Sequence, residues 1–269
     1  MKMISHSTAG VVVVSLLWSA AARADDLATE TPTVADTERA TPVDTKDAAA
    51  RGAFVLFTNP AGIGDARAHA VTIAGYDSVR STGTFESATE VRVWGPLSLR
   101  AGAVYTNGDR TLRPSVGGRL QALREGRHGV DLAAGVFYRP EGLTEPEGEI
   151  ESVVSVGRHL GSVYALGNLL YGQDPEGNER DCEVRVAALR PTGSRFLLGI
   201  DGRVRFDLGS NAATLARHNE ATFDSYAGPL AGAQLGPVMV SAQGGPAVMR
   251  RNSATSYGAF AVLGVGSAF

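Results

Sequence analysis

The chain has 269 residues, of which 43% are hydrophobic, and 25 Lys and Arg against 28 Asp and Glu give a formal net charge of −3 at pH 7. This length fits one domain, and the lack of a positive excess argues against a broad nucleic-acid-binding surface. The single cysteine, Cys182, excludes an intrachain disulfide and a cysteine metal cluster. We expect no metal, no cofactor and no nucleic-acid partner.

Residues 1–24 have the pattern of a secretory signal peptide. Lys2 precedes an apolar stretch from Val11 to Trp18, and small residues follow up to Ala24. The apolar stretch is too short to span about 30 Å of hydrocarbon, so a membrane anchor fits less well than a cleaved signal.

Two segments separate this signal from the periodic part of the chain. Residues 25–50 are rich in Ala, Thr, Asp, Glu and Pro without periodicity, which predicts a disordered periplasmic linker. Residues 51–68 combine an apolar run at 52–57 with the turn-like Asn-Pro-Ala-Gly of 59–62. We interpret this second segment as a short plug element or an extra strand.

The remainder, residues 69–269, divides into twelve strand-like segments. Most have about the 9–11 residues that a tilted strand needs to cross a bilayer. The predicted segments are 69–77, 85–94, 97–106, 112–123, 128–139, 150–159, 162–172, 180–190, 194–207, 221–234, 237–244 and 256–269.

The connections between these segments alternate in length. Tight connections with Gly or Pro fall at 95–96, 124–127, 160–161, 191–193 and 235–236. Longer connections fall at 78–84, 107–111, 140–149, 173–179, 208–220 and 245–255. Short turns at one rim and long loops at the other predict an all-β fold, a transmembrane antiparallel up-and-down β-barrel of about twelve strands. Ten or fourteen strands are the alternatives, because two segments alternate poorly.

Several segments have one apolar and one charged face. In 194–207, for example, Phe196, Leu198 and Ile200 alternate with inward positions. Candidates for a lumen constriction are the inward charges Arg92, Arg100, Arg119, Asp131, Glu183, Arg185, Asp201, Arg203 and Arg205. The narrow bore of such a barrel favours mutual ion pairing over a charge-selective ring.

Among these candidates, three arginines form the best anion-preferring spot. Arg185, Arg203 and Arg205 lie on two neighbouring predicted strands. A soluble antiparallel sandwich also alternates, so a soluble periplasmic β-protein that binds a small ligand is the competing class. The many Ala and Gly residues, and the aromatics at strand ends, favour the membrane barrel.

The last segment alternates up to the final residue of the sequence. Its apolar face includes Tyr257, Leu263, Val265 and Phe269, and its other face is rich in glycine. In this pattern the chain resembles bacterial outer-membrane β-barrel proteins, whose last strand commonly ends in an aromatic read by the assembly machinery. The resemblance implies an outer-membrane location. It also implies contacts with outer-membrane lipids, lipopolysaccharide and the barrel assembly machinery, with these four residues as the assembly signal.

A second resemblance is short. The stretch Asn59-Pro60-Ala61-Gly62 is similar to an Asn-Pro-Ala-Gly stretch near the N-terminus of the outer-membrane long-chain fatty-acid transporter family. In that family the N-terminal region forms a plug inside a larger barrel. The resemblance implies a transporter of hydrophobic solutes as an alternative function.

Catalytic patterns are weak. Outer-membrane lipid hydrolases need a Ser beside an activating His, but none of His69, His128, His159 and His218 has Ser two residues later. His159 and Ser162 are three residues apart across a predicted turn. No His, Asp and Glu spacing indicates a metal site. We therefore expect a non-enzyme, a narrow porin-like channel or a structural barrel with exposed loops.

Overall fold

The computed structural model describes residues 57–62, 66–107, 111–140, 148–174, 180–209, 221–251 and 254–269. All of them belong to one compact unit, residues 44–269. The predicted signal peptide and linker lie outside the described residues. Within the described part, no helix is long and apolar enough to cross a membrane.

Twelve antiparallel strands form a closed barrel in which each strand pairs with its neighbours in sequence. The barrel closes where β1 pairs with β12, from His69 opposite Ala268 to Asp77 opposite Phe260. This architecture confirms the predicted fold class. The strands are β1 (Ala68–Asp77), β2 (Thr82–Trp94), β3 (Leu97–Thr106), β4 (Thr111–Leu123), β5 (Asp131–Pro140), β6 (Gly148–Leu160), β7 (Val163–Gln173), β8 (Arg180–Thr192), β9 (Phe196–Asp207), β10 (Phe223–Leu235), β11 (Val238–Arg251) and β12 (Ala254–Ala268).

The two rims of the barrel differ. We call one rim the turn end, where the connections are 95–96, 124–130, 161–162, 193–195 and 236–237. The opposite rim is the loop end, with connections 78–81, 107–110, 141–147, 174–179, 208–222 and 252–253. Gly161 and Gly236 both adopt φ 64° in two-residue turns, a left-handed conformation that glycine permits without strain. Arg67 donates its N–H to the Phe269 carbonyl at 2.6 Å, so the barrel begins and ends at the turn end.

Several predicted strand boundaries are wrong by two or three residues, such as that of β2, which begins at Thr82 rather than at 85, and two errors change the local structure. At the turn end, a short helix α1 (Glu125–His128) follows β4, and β5 begins at Asp131 rather than at 128. The larger error is β11, which continues to Arg251, so the long loop expected at 245–255 is absent from residues 245–251.

Strand β11 continues because it pairs with β12 without interruption, with Gly245 opposite Phe260 and Pro246 opposite Ala259. The β10–β11 ladder pairs Tyr226 with Ala247 and Leu230 with Gln243, with no pair between these two. In the gap the backbones approach so closely that a Cβ added to Gly245 would lie 2.9 Å from the Gly228 Cα. The Gly-Gly-Pro sequence of 244–246 is typical of a turn, but here its small residues permit contact within the wall.

Apolar side chains face outward along the strands. Ile200 is 63% exposed, whereas its inward neighbour Asp201 is 2% exposed. Large aromatic side chains are exposed near both rims: Trp94, Phe196 and Phe269 at the turn end, and Tyr76, Tyr105, Tyr171, Phe206 and Tyr257 at the loop end. An apolar outer band between aromatic girdles is the surface of a barrel in contact with hydrocarbon. A soluble sandwich would bury this face.

The last strand has the faces that its sequence predicts. Tyr257, Leu263, Val265 and Phe269 are all exposed on the outer wall. Phe260 on the opposite face is buried in the barrel. The role of the four outer residues as an assembly signal stays a prediction.

Candidate functional site

A short segment of the chain crosses the interior of the barrel. Residues 57–62, which we call the lumen strap, contain no strand and contact inward side chains of the wall. Phe57, Thr58 and Ala61 are buried. The lumen strap belongs to the segment in which the sequence predicts a plug or an extra strand.

One end of the lumen strap is held by β9 and β8. The Asp201 carboxylate accepts the Phe57 N–H at 2.8 Å and the Thr58 hydroxyl at 2.6 Å. Arg185 donates from Nη1 to the Phe57 carbonyl at 3.2 Å. These bonds satisfy a buried carboxylate that would otherwise be costly to remove from water.

The other end reaches β7 and β4. The Asn168 side chain accepts the Asn59 N–H at 2.6 Å and donates to the Asn59 carbonyl at 2.8 Å. Arg119 donates to the Pro60 carbonyl. Since β4 and β9 are five strands apart in a ring of twelve, the lumen strap joins nearly opposite walls.

An apolar cluster surrounds the first residue of the lumen strap. The Phe57 ring lies 5.9 Å from the Tyr226 ring and 5.3 Å from the Phe260 ring. The Arg203 guanidinium carbon lies 4.9 Å from the Tyr226 centroid and 5.7 Å from that of Phe57, within cation–π distance. Other buried members are Tyr164, Leu166, Ala187, Leu189, Leu197, Leu230, Ala247 and Val262. Our sequence interpretation missed this apolar filling of the lumen.

The three arginines predicted as an anion-preferring spot lie together, with carboxylates between them. Arg185 pairs with Glu183, and Arg203 lies 3.6 Å from the same carboxylate. Asp224 lies 3.3 Å from Arg203 and 3.2 Å from Arg205. Pairing of these arginines with carboxylates, the favoured expectation, is therefore the observed geometry.

Further charged residues join this group, and sequence reasoning missed most of them. Arg80, in the connection between β1 and β2, donates to Asp224 at 3.2 Å and lies 3.8 Å from Asp77. Asp181 pairs with Arg205 at 3.0 Å. We call the whole group the loop-half ionic cluster. It contains Arg80, Arg185, Arg203 and Arg205 with Asp77, Asp181, Glu183 and Asp224.

The other predicted lumen residues lie toward β2–β5. Arg119 donates to both oxygens of Glu90, at 2.7 and 2.6 Å. Arg100 pairs with Glu86. Asp131 accepts the Tyr164 hydroxyl at 3.0 Å. Arg92 lies two residues beyond Glu90 on the same inward face, at the turn end.

The predicted catalytic candidates form no nucleophile arrangement in the described part of the chain. The His159 Nδ1 atom lies 2.7 Å from Glu125, and its ring stacks on Tyr164 at 4.5 Å. Ser162 is exposed in the turn that follows. No group of three or more His, Cys, Asp or Glu among the described residues could hold a metal ion.

Comparisons with known proteins identify the fold. No protein-family model and no curated protein matches the sequence. Among solved structures, the NanC porin aligns with a TM-score of 0.54 and 10% identity, over 74% of this chain and 100% of that one. The KdgM porin aligns with a TM-score of 0.53 and 6% identity, over 75% and 99% of the two chains. The chain therefore has the β-barrel fold of bacterial outer-membrane porins.

Proposed function

We propose that this chain is an outer-membrane β-barrel that acts as a narrow, porin-like channel, with the lumen strap as its closing element. The apolar outer band and the porin fold support the location. Short turns face the periplasm in such barrels. The turn end would then be periplasmic, and the loop end would meet lipopolysaccharide.

The bonding of the lumen strap carries this proposal. Asp201, Asn168, Arg119 and Arg185 bind it through side chains, so its departure breaks no strand pairing. Each neutral hydrogen bond contributes about 0.5–1.5 kcal/mol net, and a bond to a charged group about 1.5–3 kcal/mol. Water entering an opened lumen would replace these partners. The lumen strap is thus attached firmly and remains separable from the wall.

The charges of the lumen suggest a class of solute. One structural neighbour is the KdgM porin in complex with disordered oligogalacturonate. In the present lumen, the four arginines of the loop-half ionic cluster lie among four carboxylates. This balance favours small hydrophilic solutes with weak selectivity between anions and cations.

The apolar cluster around Phe57 favours a second candidate function. Phe57, Tyr226 and Phe260 would offer a hydrophobic solute apolar contacts inside the barrel. Uptake of a hydrophobic solute into vesicles, lost when Phe260 is replaced by Asp, would support this alternative over the hydrophilic channel.

Single-channel conductance in planar bilayers tests the channel. We compare the mature chain with the Asn168→Ala/Asp201→Ala variant and with a variant that lacks residues 57–62. Both variants should show larger or more frequent conductance steps than the unchanged chain. Val186→Ala, on the outer wall, is the control and should conduct as the unchanged chain does. If the unchanged chain and both variants show the heat-dependent gel shift of a folded barrel and none of them conducts, the barrel is structural and the channel proposal fails. If all three conduct equally, the lumen strap is not the closing element.

A further inference from the structure

The outer wall carries charges of one sign. Along the described strands, four arginines are exposed, whereas none of the described Asp and Glu residues of those strands is exposed. Arg158 on β6 and Arg190 on β8 lie at the turn end, each two residues before its strand ends. Arg180 and Arg250 lie at the loop end. Exposed arginines at the edge of an apolar band suit the charged interface of a membrane.

The two arginines of the turn end are close neighbours on the outer wall. Arg158 pairs with Ala165 on β7, and Ala165 pairs with Ala188 on β8. Arg190 is therefore two strands away and two residues further along. With strands about 4.8 Å apart and a rise of about 3.4 Å per residue, the two Cα atoms are about 12 Å apart. The outward residues of β7 between them, Val163 and Ala165, are small and carry no charge.

An apolar groove lies on the same outer face, nearer the centre of the apolar band than this pair. It has a volume of about 690 Å³ and includes Gly118, Leu120, Ala134, Val154 and Leu169 in its lining. The small residues of β4 and β5 form its floor. Val154 lies on β6 four residues from Arg158, with Val156 as the single outward residue between them. The lining also includes Ser152 and Tyr171 toward the loop end, so on β6 the groove lies in the middle of the apolar band, about 14 Å along the strand from Arg158.

We propose that Arg158, Arg190 and the groove form a binding site for an anionic glycerophospholipid of the inner leaflet. Guanidinium groups bind phosphate oxygens through paired N–H donors, so both arginines would hold the headgroup phosphate. An acyl chain would fill the groove, whose lining is mainly apolar. This inference rests on the proposed membrane location and on a periplasmic turn end.

Lipid selectivity measured by electron paramagnetic resonance tests the site. The mature chain is reconstituted in phosphatidylcholine bilayers with spin-labelled phosphatidylglycerol or spin-labelled phosphatidylcholine, and the immobilised fraction of each is compared. Anionic surfaces attract each nearby Lys or Arg by an energy that corresponds to about a fivefold preference. We expect the preference for phosphatidylglycerol to fall about fivefold for each arginine replaced in Arg158→Gln and Arg158→Gln/Arg190→Gln.

A matched control distinguishes a specific lipid site from a general electrostatic attraction between arginines and anionic lipid. Arg180→Gln/Arg250→Gln removes the same charge at the loop end and should retain the selectivity. Ala134→Leu fills the groove and should lower the immobilised phosphatidylglycerol while both arginines remain. If the turn-end double variant keeps the selectivity, or the loop-end variant loses as much, the site is overturned although the barrel is folded. A chain that shows no heat-dependent gel shift and stays outside the bilayer overturns the membrane location as well.

Discussion

The arginines of the inner face and those of the outer face have opposite surroundings. Arg203 is buried in the lumen between Glu183 and Asp224. Arg190 is exposed on the outer wall, where the described strands present no exposed carboxylate. The same side chain therefore occurs in two electrostatic environments separated by a single layer of strands.

This difference shows how the barrel deals with the cost of removing charge from water. An inward arginine in a filled lumen needs carboxylate partners, because a buried charge without one is strongly destabilising. An outward arginine at the membrane edge extends its head into the polar interface and needs no carboxylate from the protein. Carboxylate pairing on the inner face and a position at the membrane edge on the outer face thus both avoid an arginine that is buried without a partner.

Removing the central carboxylate of the lumen should have the largest effect. Asp224 is fully buried and contacts Arg80, Arg203 and Arg205. Asp224→Ala leaves these cations short of a partner and should lower the free energy of unfolding by about 3–5 kcal/mol. Guanidinium unfolding of the chain in lipid vesicles, followed by tryptophan fluorescence, measures this loss. A loss below about 1 kcal/mol would mean that the lumen is wet enough to solvate the arginines.

Placing an arginine on the outer wall at the middle of the membrane should have the next largest effect on stability. Val186 is 57% exposed at the centre of β8. Val186→Arg should cost about 2–4 kcal/mol of unfolding free energy, because the charge enters the hydrocarbon midplane. Thr192→Arg, at the turn end of the same strand, should cost about 0–1 kcal/mol. Equal effects at the two positions would contradict a membrane around this wall.

The close approach of β10 and β11 in the wall can be tested by adding a methyl group. A Cβ on Gly245 would lie 2.9 Å from the Gly228 Cα, whereas a Cβ on Gly167 would meet its nearest neighbour at 3.5 Å. Gly245→Ala should therefore destabilise the barrel by about 1–3 kcal/mol through overpacking. Gly167→Ala is the matched control and should unfold close to the unchanged chain. Similar unfolding free energies for both variants would show that β10 and β11 can separate without loss.

Much of the wall is predictable from the sequence because strand alternation is a local property. The predicted strand 97–106 coincides with β3, since a Gly-Pro turn precedes it and its outward residues alternate regularly. β11 is cut short in the prediction because Gly-Gly-Pro has the same appearance in a turn and in a close strand contact. Local patterns cannot separate these two cases.

The interior is less predictable because its contacts join distant parts of the chain. Alternation correctly places Arg185, Arg203 and Arg205 inward, yet it assigns no direction to Arg80, which lies in a connection. Phe57 and Asp201 are 144 residues apart, and no periodicity links them. The sequence therefore predicts the lining of the lumen and offers a plug as one interpretation of residues 51–68, but it does not predict the contacts that hold the lumen strap.

One substitution made on both faces should give the smallest effect and the sharpest comparison. Arg203→Gln removes a cation from Glu183 and Asp224, whose other arginines remain, and should cost about 1–3 kcal/mol of unfolding free energy. Arg190→Gln should change this free energy by no more than about 0.5 kcal/mol, because this exposed side chain pairs with no carboxylate among the described residues. Unfolding in zwitterionic vesicles measures both variants. If Arg190→Gln costs as much as Arg203→Gln, the outer arginine has a structural role, and the contrast between the two faces does not depend on carboxylate pairing.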